Sequence, residues 1–232
     1  MLHFSFAMIS GLTMTKKFAL TYYSDILCVW AYISQARVDE VSKQFAENVT
    51  IDYRFCSVFA DTAHKIGQGW AQKEGYDGFA KHLHEVVAQF DHIKLHPDLW
   101  KKNRPVSSTP AHILLKAVQR IDAEQCEAIQ QELRLNFFEQ CMDISQWSVL
   151  RTALEAVGIS VNDVRNVIDS GVAYADLEAD HRDQQSLMVQ GSPTIILNEG
   201  RQKLYGNVGY GVLEANIKEL LNSPAAGAAS WC

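Results

Sequence analysis

Apolar residues recur along this chain with two different periods, and the change from one to the other outlines an architecture. Phe18-Ala19-Leu20-Thr21-Tyr22 is the short, nearly continuous apolar run of a buried strand, and Val49-Thr50-Ile51-Asp52-Tyr53-Arg54-Phe55 alternates like a strand with one covered face. Between them Trp30, Ile33, Val38, Val41 and Phe45 fall at helical spacings, with Asn48 as the expected stop. Strand, helix, strand predicts the opening of an α/β sheet with a right-handed crossover.

From about residue 63 to 184 the helical period takes over. Thr109-Pro110, a capping residue followed by proline, predicts a helix start leading into Ala111, Leu114, Leu115, Val118 and Ile121. Asp122 is the expected cap of the next helix, with Gln125 closing the box and Cys126, Ile129, Leu133 and Phe137 buried. Ser145 is expected to cap a helix through Trp147, Leu150, Leu154 and Val157, ended by Gly158. Ser160 to Ile168 and Tyr174 to Val189 continue the series without a fixed repeat. Strand signals return in Thr194-Ile195-Ile196-Leu197, an Asn198-Glu199-Gly200 turn and Lys203-Leu204-Tyr205, before a helix over Gly209 to Leu221. The order predicts a sheet domain interrupted by an all-helical insertion: 14–62 and 185–222 form the two parts of the sheet domain, and 63–184 the insertion. Residues 223–232, rich in Ala and Gly, are expected to be a flexible tail.

Composition narrows the function without choosing it. The chain has 232 residues, 27 acidic against 21 basic, and a formal charge of −6 without a Lys/Arg cluster, which argues against nucleic acid as a partner. No apolar run approaches the roughly 20 residues of a bilayer span, so no membrane partner is expected. Residues 1–13 are apolar but lack the basic start and small-residue cleavage site of an export signal. They are expected to be a disordered extension ahead of Met14-Thr15-Lys16-Lys17, and the protein to be cytoplasmic. Cys28, Cys56, Cys126, Cys141 and Cys232 are five thiols with no pairing rhythm and no zinc spacing, so neither a disulfide scaffold nor a metal site is expected.

Cys28 has a context the other cysteines lack. It lies where the first strand hands over to the first helix, in Tyr23-Ser24-Asp25-Ile26-Leu27-Cys28-Val29-Trp30-Ala31-Tyr32. A thiol at a helix N-terminus faces unpaired N–H groups that favour the anion, which predicts a nucleophilic Cys28 with a lowered pKa; a carboxylate at Asp25 opposes that effect.

Four stretches resemble the DsbA-like branch of the thioredoxin superfamily. They are Tyr23 to Ile33, Ala111-His112, Phe137-Phe138-Glu139 through Asp143-Ile144 to Leu150 and Gly158, and Gly191-Ser192-Pro193-Thr194. The likeness is to the FrnE-like proteins, the 2-hydroxychromene-2-carboxylate isomerases and the kappa-class glutathione transferases, and it implies a thioredoxin-like α/β fold with a helical insertion. It also implies Cys28 as the catalytic thiol, a cis bond at Pro193, and substrate or glutathione contacts at Trp30, Ala31, Ser192 and Pro193, with Asp25 and His112 as pocket candidates. Where the family motif reads C-P-W-C, this chain reads Cys28-Val29-Trp30-Ala31, so one thiol stands alone. A mixed disulfide there needs an outside thiol such as glutathione, acting as cosubstrate without a tightly bound cofactor, or a distant cysteine, for which Cys56 is the candidate. The expected activity is that of a single-cysteine thiol-disulfide oxidoreductase acting on a small thiol or disulfide; the resemblance allows a homodimer and leaves the oligomeric state open. A glutathione-dependent transferase or cis-trans isomerase, and a non-catalytic peptide-binding module, are the alternatives.

Overall fold

A computed structural model describes residues 18–222; the extension over 1–13, the tail over 223–232 and Cys232 lie outside them. Four strands form one mixed sheet in the order β2-β1-β3-β4. β1 (Phe18–Ser24) pairs in parallel with β2 (Val49–Phe55), in register from Phe18 opposite Val49 to Ser24 opposite Phe55. On its other edge β1 pairs antiparallel with β3 (Thr194–Leu197), which pairs antiparallel with β4 (Gln202–Tyr205). The central position of β1 explains its apolar run: Leu20, Tyr22 and Tyr23 are all buried.

The parallel pair is joined by α1 (Val29–Gln44), which buries Val29, Ala31, Ile33, Val38 and Val41. Phe45 is its C-cap, so the helix stops three residues before Asn48. Between β2 and β3 come α2 (Gly75–Val87), α3 (Thr109–Ile121), α4 (Cys126–Arg134), α5 (Trp147–Ala156), α6 (Val161–Asp169) and α7 (Val172–Ser186), and α8 (Tyr210–Asn222) closes the described chain beside α1. α3 is the spine of this helical set, buried along Ala111 to Val118 and packed on α4, α6 and α7.

Several caps differ from the sequence reading. Ser108, not Thr109, is the N-cap of α3, and Pro110 sits one residue inside the helix. Asp122 does cap, but through Glu124 N–H onto its Oδ1 at 3.1 Å, heading a short 3-10 turn ahead of α4. Ser145 caps nothing: its hydroxyl donates to Asp143 Oδ1 at 2.6 Å, and Gln146 is the N-cap of α5. The Ser145 Oγ is drawn toward Asp143 and accepts from Gln146 Nε2 at 3.3 Å rather than from a helix N–H. Ser160 behaves as expected, accepting from Asp163 N–H at 3.3 Å. Gly158 ends the α5 region at φ 76, a left-handed turn that suits glycine. Phe137 lies not in a continued α4 but in a π-helical stretch, Leu135–Glu139.

One buried carboxylate fastens the helical set to the sheet. Asp180 on α7 accepts from Phe55 N–H at 3.1 Å and pairs with Lys116 of α3 at 3.0 Å and Arg54 of β2 at 3.1 Å.

Candidate active site

β1 ends at Ser24, and the chain reverses through Asp25-Ile26-Leu27 before α1 begins. Cys28 is the N-cap of α1, and its own N–H closes the turn onto Asp25 C=O at 3.0 Å. Each of the three amides ahead of it is taken by a different partner. Asp25 N–H donates to Ser192 Oγ at 2.8 Å, Ile26 N–H to His112 Nε2 at 3.1 Å, and Leu27 N–H to Asp25 Oδ1 at 3.0 Å. With those donors consumed, the N–H groups of Trp30 and Ala31 in the first turn of α1 are the ones directed at the Cys28 sulfur.

The sulfur faces the far end of the chain. Cys28 Sγ lies 3.3 Å from the Ser192 carbonyl, to which the thiol donates, and the Ser192–Pro193 peptide bond is cis. Only 5% of Cys28 is exposed. Trp30, at 37%, forms the outer rim and meets Phe90 edge-on at 6.2 Å between ring centroids.

The electrostatics correct the expected acidic thiol. Burial pushes the Cys28 pKa above the ordinary thiol value and the Asp25 carboxylate adds to the rise, while Ser192 and the Ala31 and Trp30 N–H groups work the other way. Magnitudes explain the outcome: a helix terminus contributes about 0.3–1 kcal/mol, less than one pKa unit, whereas full burial moves a group by up to about 3–5 units. The S–H bond to a carbonyl further favours the neutral form. In this closed arrangement Cys28 rests as a thiol.

Asp25 is fully buried, accepting also from Phe59 N–H at 2.8 Å and from Ser108 Oγ at 2.9 Å. Burial raises its pKa to about 6, against the lowering effect of these donors. It lies beneath the reactive loop and lines no open pocket. The same correction applies to His112, buried with its ring stacked on Phe55 at 5.1 Å. Burial first, then the charges of His181, Arg134 and Lys116, push its pKa down to about 3. The neutral ring accepts at Nε2 and therefore carries its proton on Nδ1. Ala31 is corrected too: its side chain has no exposed surface, so it offers its N–H to the sulfur and no contact to a substrate.

Cys56 follows β2, its N–H donating to Ser24 C=O at 3.2 Å. It has no exposed surface, and burial, followed by Asp25 and Cys28, pushes its thiol well above the usual range. Cys28, Cys56, Cys126 and Cys141 are all free. No cluster of three or more His, Cys, Asp or Glu among the described residues could hold a metal. Ser108 and Phe59 escaped the sequence reading. Phe59 acts through its backbone and leaves no trace in the residue string, but Ser108 stands four residues before His112, on the same face of α3.

The sequence model of the DSBA-like thioredoxin domain matches residues 19–218. The chain belongs to that family. Solved structures share its fold at low identity. A protein of Nitrosomonas europaea assigned to the protein disulfide isomerases superposes with a TM-score of 0.76 at 16% identity, covering 89% of this chain and 98% of that one. The cytosolic disulfide reductase DsbM from Pseudomonas aeruginosa, in its structure with GSH, gives 0.66 at 17% identity, covering 87% and 100%. 2-Hydroxychromene-2-carboxylate isomerase gives 0.63 at 17% identity, covering 88% and 96%. No curated protein matches the sequence. On the first turn after Cys28 this chain carries the fully buried methyl group of Ala31.

Proposed function

We propose that this protein is a cytoplasmic thiol-disulfide oxidoreductase in which Cys28 alone attacks, with glutathione as cosubstrate. The observation that carries the reading is the Cys28 sulfur at the mouth of α1, 3.3 Å from the Ser192 carbonyl, with Ala31 one turn along. An incoming disulfide displaces the thiol from that carbonyl and the proton leaves. The Cys28 thiolate then bonds to one substrate sulfur, and the other departs as a thiolate that takes up a proton. An outside thiolate attacks the substrate sulfur of the mixed disulfide, forming the product disulfide and returning Cys28. We assign this second step to glutathione because Cys56 is sealed from solvent and held protonated. The assignment to the cytoplasm draws support from the free thiols and from the cytosolic disulfide reductase among the structural neighbours. No helix among the described residues is long and apolar enough to cross a membrane.

Reduction of a glutathione mixed disulfide by the purified protein tests the proposal: Cys28→Ser is expected to abolish it and Cys56→Ser to leave it largely intact. Full activity in Cys28→Ser ends the monothiol reading. The likeness to 2-hydroxychromene-2-carboxylate isomerase favours a second reading, in which position 28 holds the glutathione thiolate. Under it, Cys28→Ser retains isomerase or transferase turnover with a chromene carboxylate or chlorodinitrobenzene.

A further inference from the structure

Helix α3 reaches the reactive loop with two buried side chains one turn apart. Ser108 Oγ donates to Asp25 Oδ2 at 2.9 Å, and His112 Nε2 accepts the Ile26 N–H at 3.1 Å. The proposed chemistry at Cys28 uses neither. Yet the Ile26 amide is buried in a turn where the Asp25 carbonyl takes the Cys28 N–H and both Asp25 carboxylate oxygens take other donors, and its own acceptor comes from outside the loop. The imidazole supplies it only while uncharged, because a protonated ring has no lone pair to offer. Burial keeps it so, with Phe55 over one face and Lys116 from α3, Arg134 from α4 and His181 from α7 as positive or ionisable neighbours, and these outweigh the opposite pull of Asp25 Oδ1 at 3.8 Å.

We infer that His112 is a positioning residue for Cys28: by holding Ile26 N–H it sets the pitch of the Asp25–Cys28 turn, and with it the aim of the Trp30 and Ala31 amides at the sulfur. The helical segment between β2 and β3 thereby sets the reactivity of a thiol carried by the sheet domain. This rests on Cys28 being the reactive thiol of the proposed function, but its test needs no turnover.

In the full-length protein, the rate of Cys28 alkylation by iodoacetamide is followed against pH, with the modified peptide identified by mass spectrometry and Cys141 as internal control. His112→Leu, which leaves Ile26 N–H without its acceptor, is expected to slow Cys28 alkylation at pH 8 by about tenfold, the equivalent of one pKa unit. His112→Gln, whose side-chain carbonyl reaches toward the place of Nε2, is expected to stay within about twofold of the parent. A wild-type rate in His112→Leu, or an equal loss in His112→Gln, overturns the inference. Should His112→Leu fail to fold, nitrogen-15 histidine spectra of the unmodified protein decide. The Nδ1-protonated neutral tautomer, unchanged from pH 5 to 8, supports the role, and a ring protonated on Nε2 or titrating near pH 6.5 refutes it. Failure of the oxidoreductase assay with a normal His112 effect on alkylation would sink the proposed function and leave this inference standing.

Discussion

At Cys28 the balance between burial and backbone donors decides what the sulfur does at rest. Because burial wins, the thiolate fraction keeps growing as pH rises beyond the ordinary thiol range. Alkylation of Cys28 is therefore expected to climb through pH 9 without a plateau, and a plateau below pH 8 would show that the amides dominate. Beneath it, Asp25 and His112 make an opposed pair. Folding lifts Asp25 to about 6 from an unfolded value near 3.9, so that between roughly pH 4 and 6 the folded chain holds a proton the unfolded chain has lost. Alone, this makes stability fall as pH rises. Folding lowers His112 to about 3 from about 6.5, so over the same window the unfolded chain holds the extra proton and stability rises with pH. The two slopes offset. Denaturant melts from pH 4 to 6 are expected to show a more negative slope in His112→Gln and a more positive one in Asp25→Asn, each by up to about 1.4 kcal/mol per pH unit. Identical slopes in the three proteins would refute the pairing. Of these residues, Cys28 was legible from its place where a strand hands over to a helix, and Ser192 and Pro193 only through the likeness of Gly191-Ser192-Pro193-Thr194 to the DsbA-like family. The resting state of the thiol was not, because desolvation depends on what folds over Cys28 from residues more than 160 positions away.

Among the elements, periodicity located β1, β2, β3, β4 and the central helices from α3 onward but did not single out α2, and it failed where local hydrogen bonding competes. Ser145 and Asp143 show this, as does the π-helical stretch after α4, whose apolar residues continue a helical pattern while the backbone widens. Tertiary charge pairs leave a weaker trace still. Asp180 reads as one more acidic residue on a polar helix, yet it is buried and joins β2, α3 and α7. Its own pKa is raised by burial and held back chiefly by Lys116. Asp180→Ala leaves Lys116 buried without a counter-charge and Phe55 N–H without an acceptor, and is expected to cost about 3–5 kcal/mol. The check is a lower urea midpoint at an unchanged m-value; an unaltered midpoint would mean that solvent already satisfies these groups.

For the molecule as a whole, helical segment and sheet are held together by the Asp180 cluster, by Ser108 on Asp25 and by His112 on Ile26. Such ties predict one cooperative transition, with far-ultraviolet circular dichroism and tryptophan fluorescence coinciding on heating. Two separated transitions would mean that the helical segment melts independently. The Asp25 to Ser192 hydrogen bond spans 167 positions of sequence. During synthesis, then, Cys28 emerges long before the carbonyl that will receive its S–H. Until the last strands arrive, it is an ordinary cysteine on a nascent helix, open to whatever oxidant is nearby. The finished fold tames the sulfur as much as it arms it.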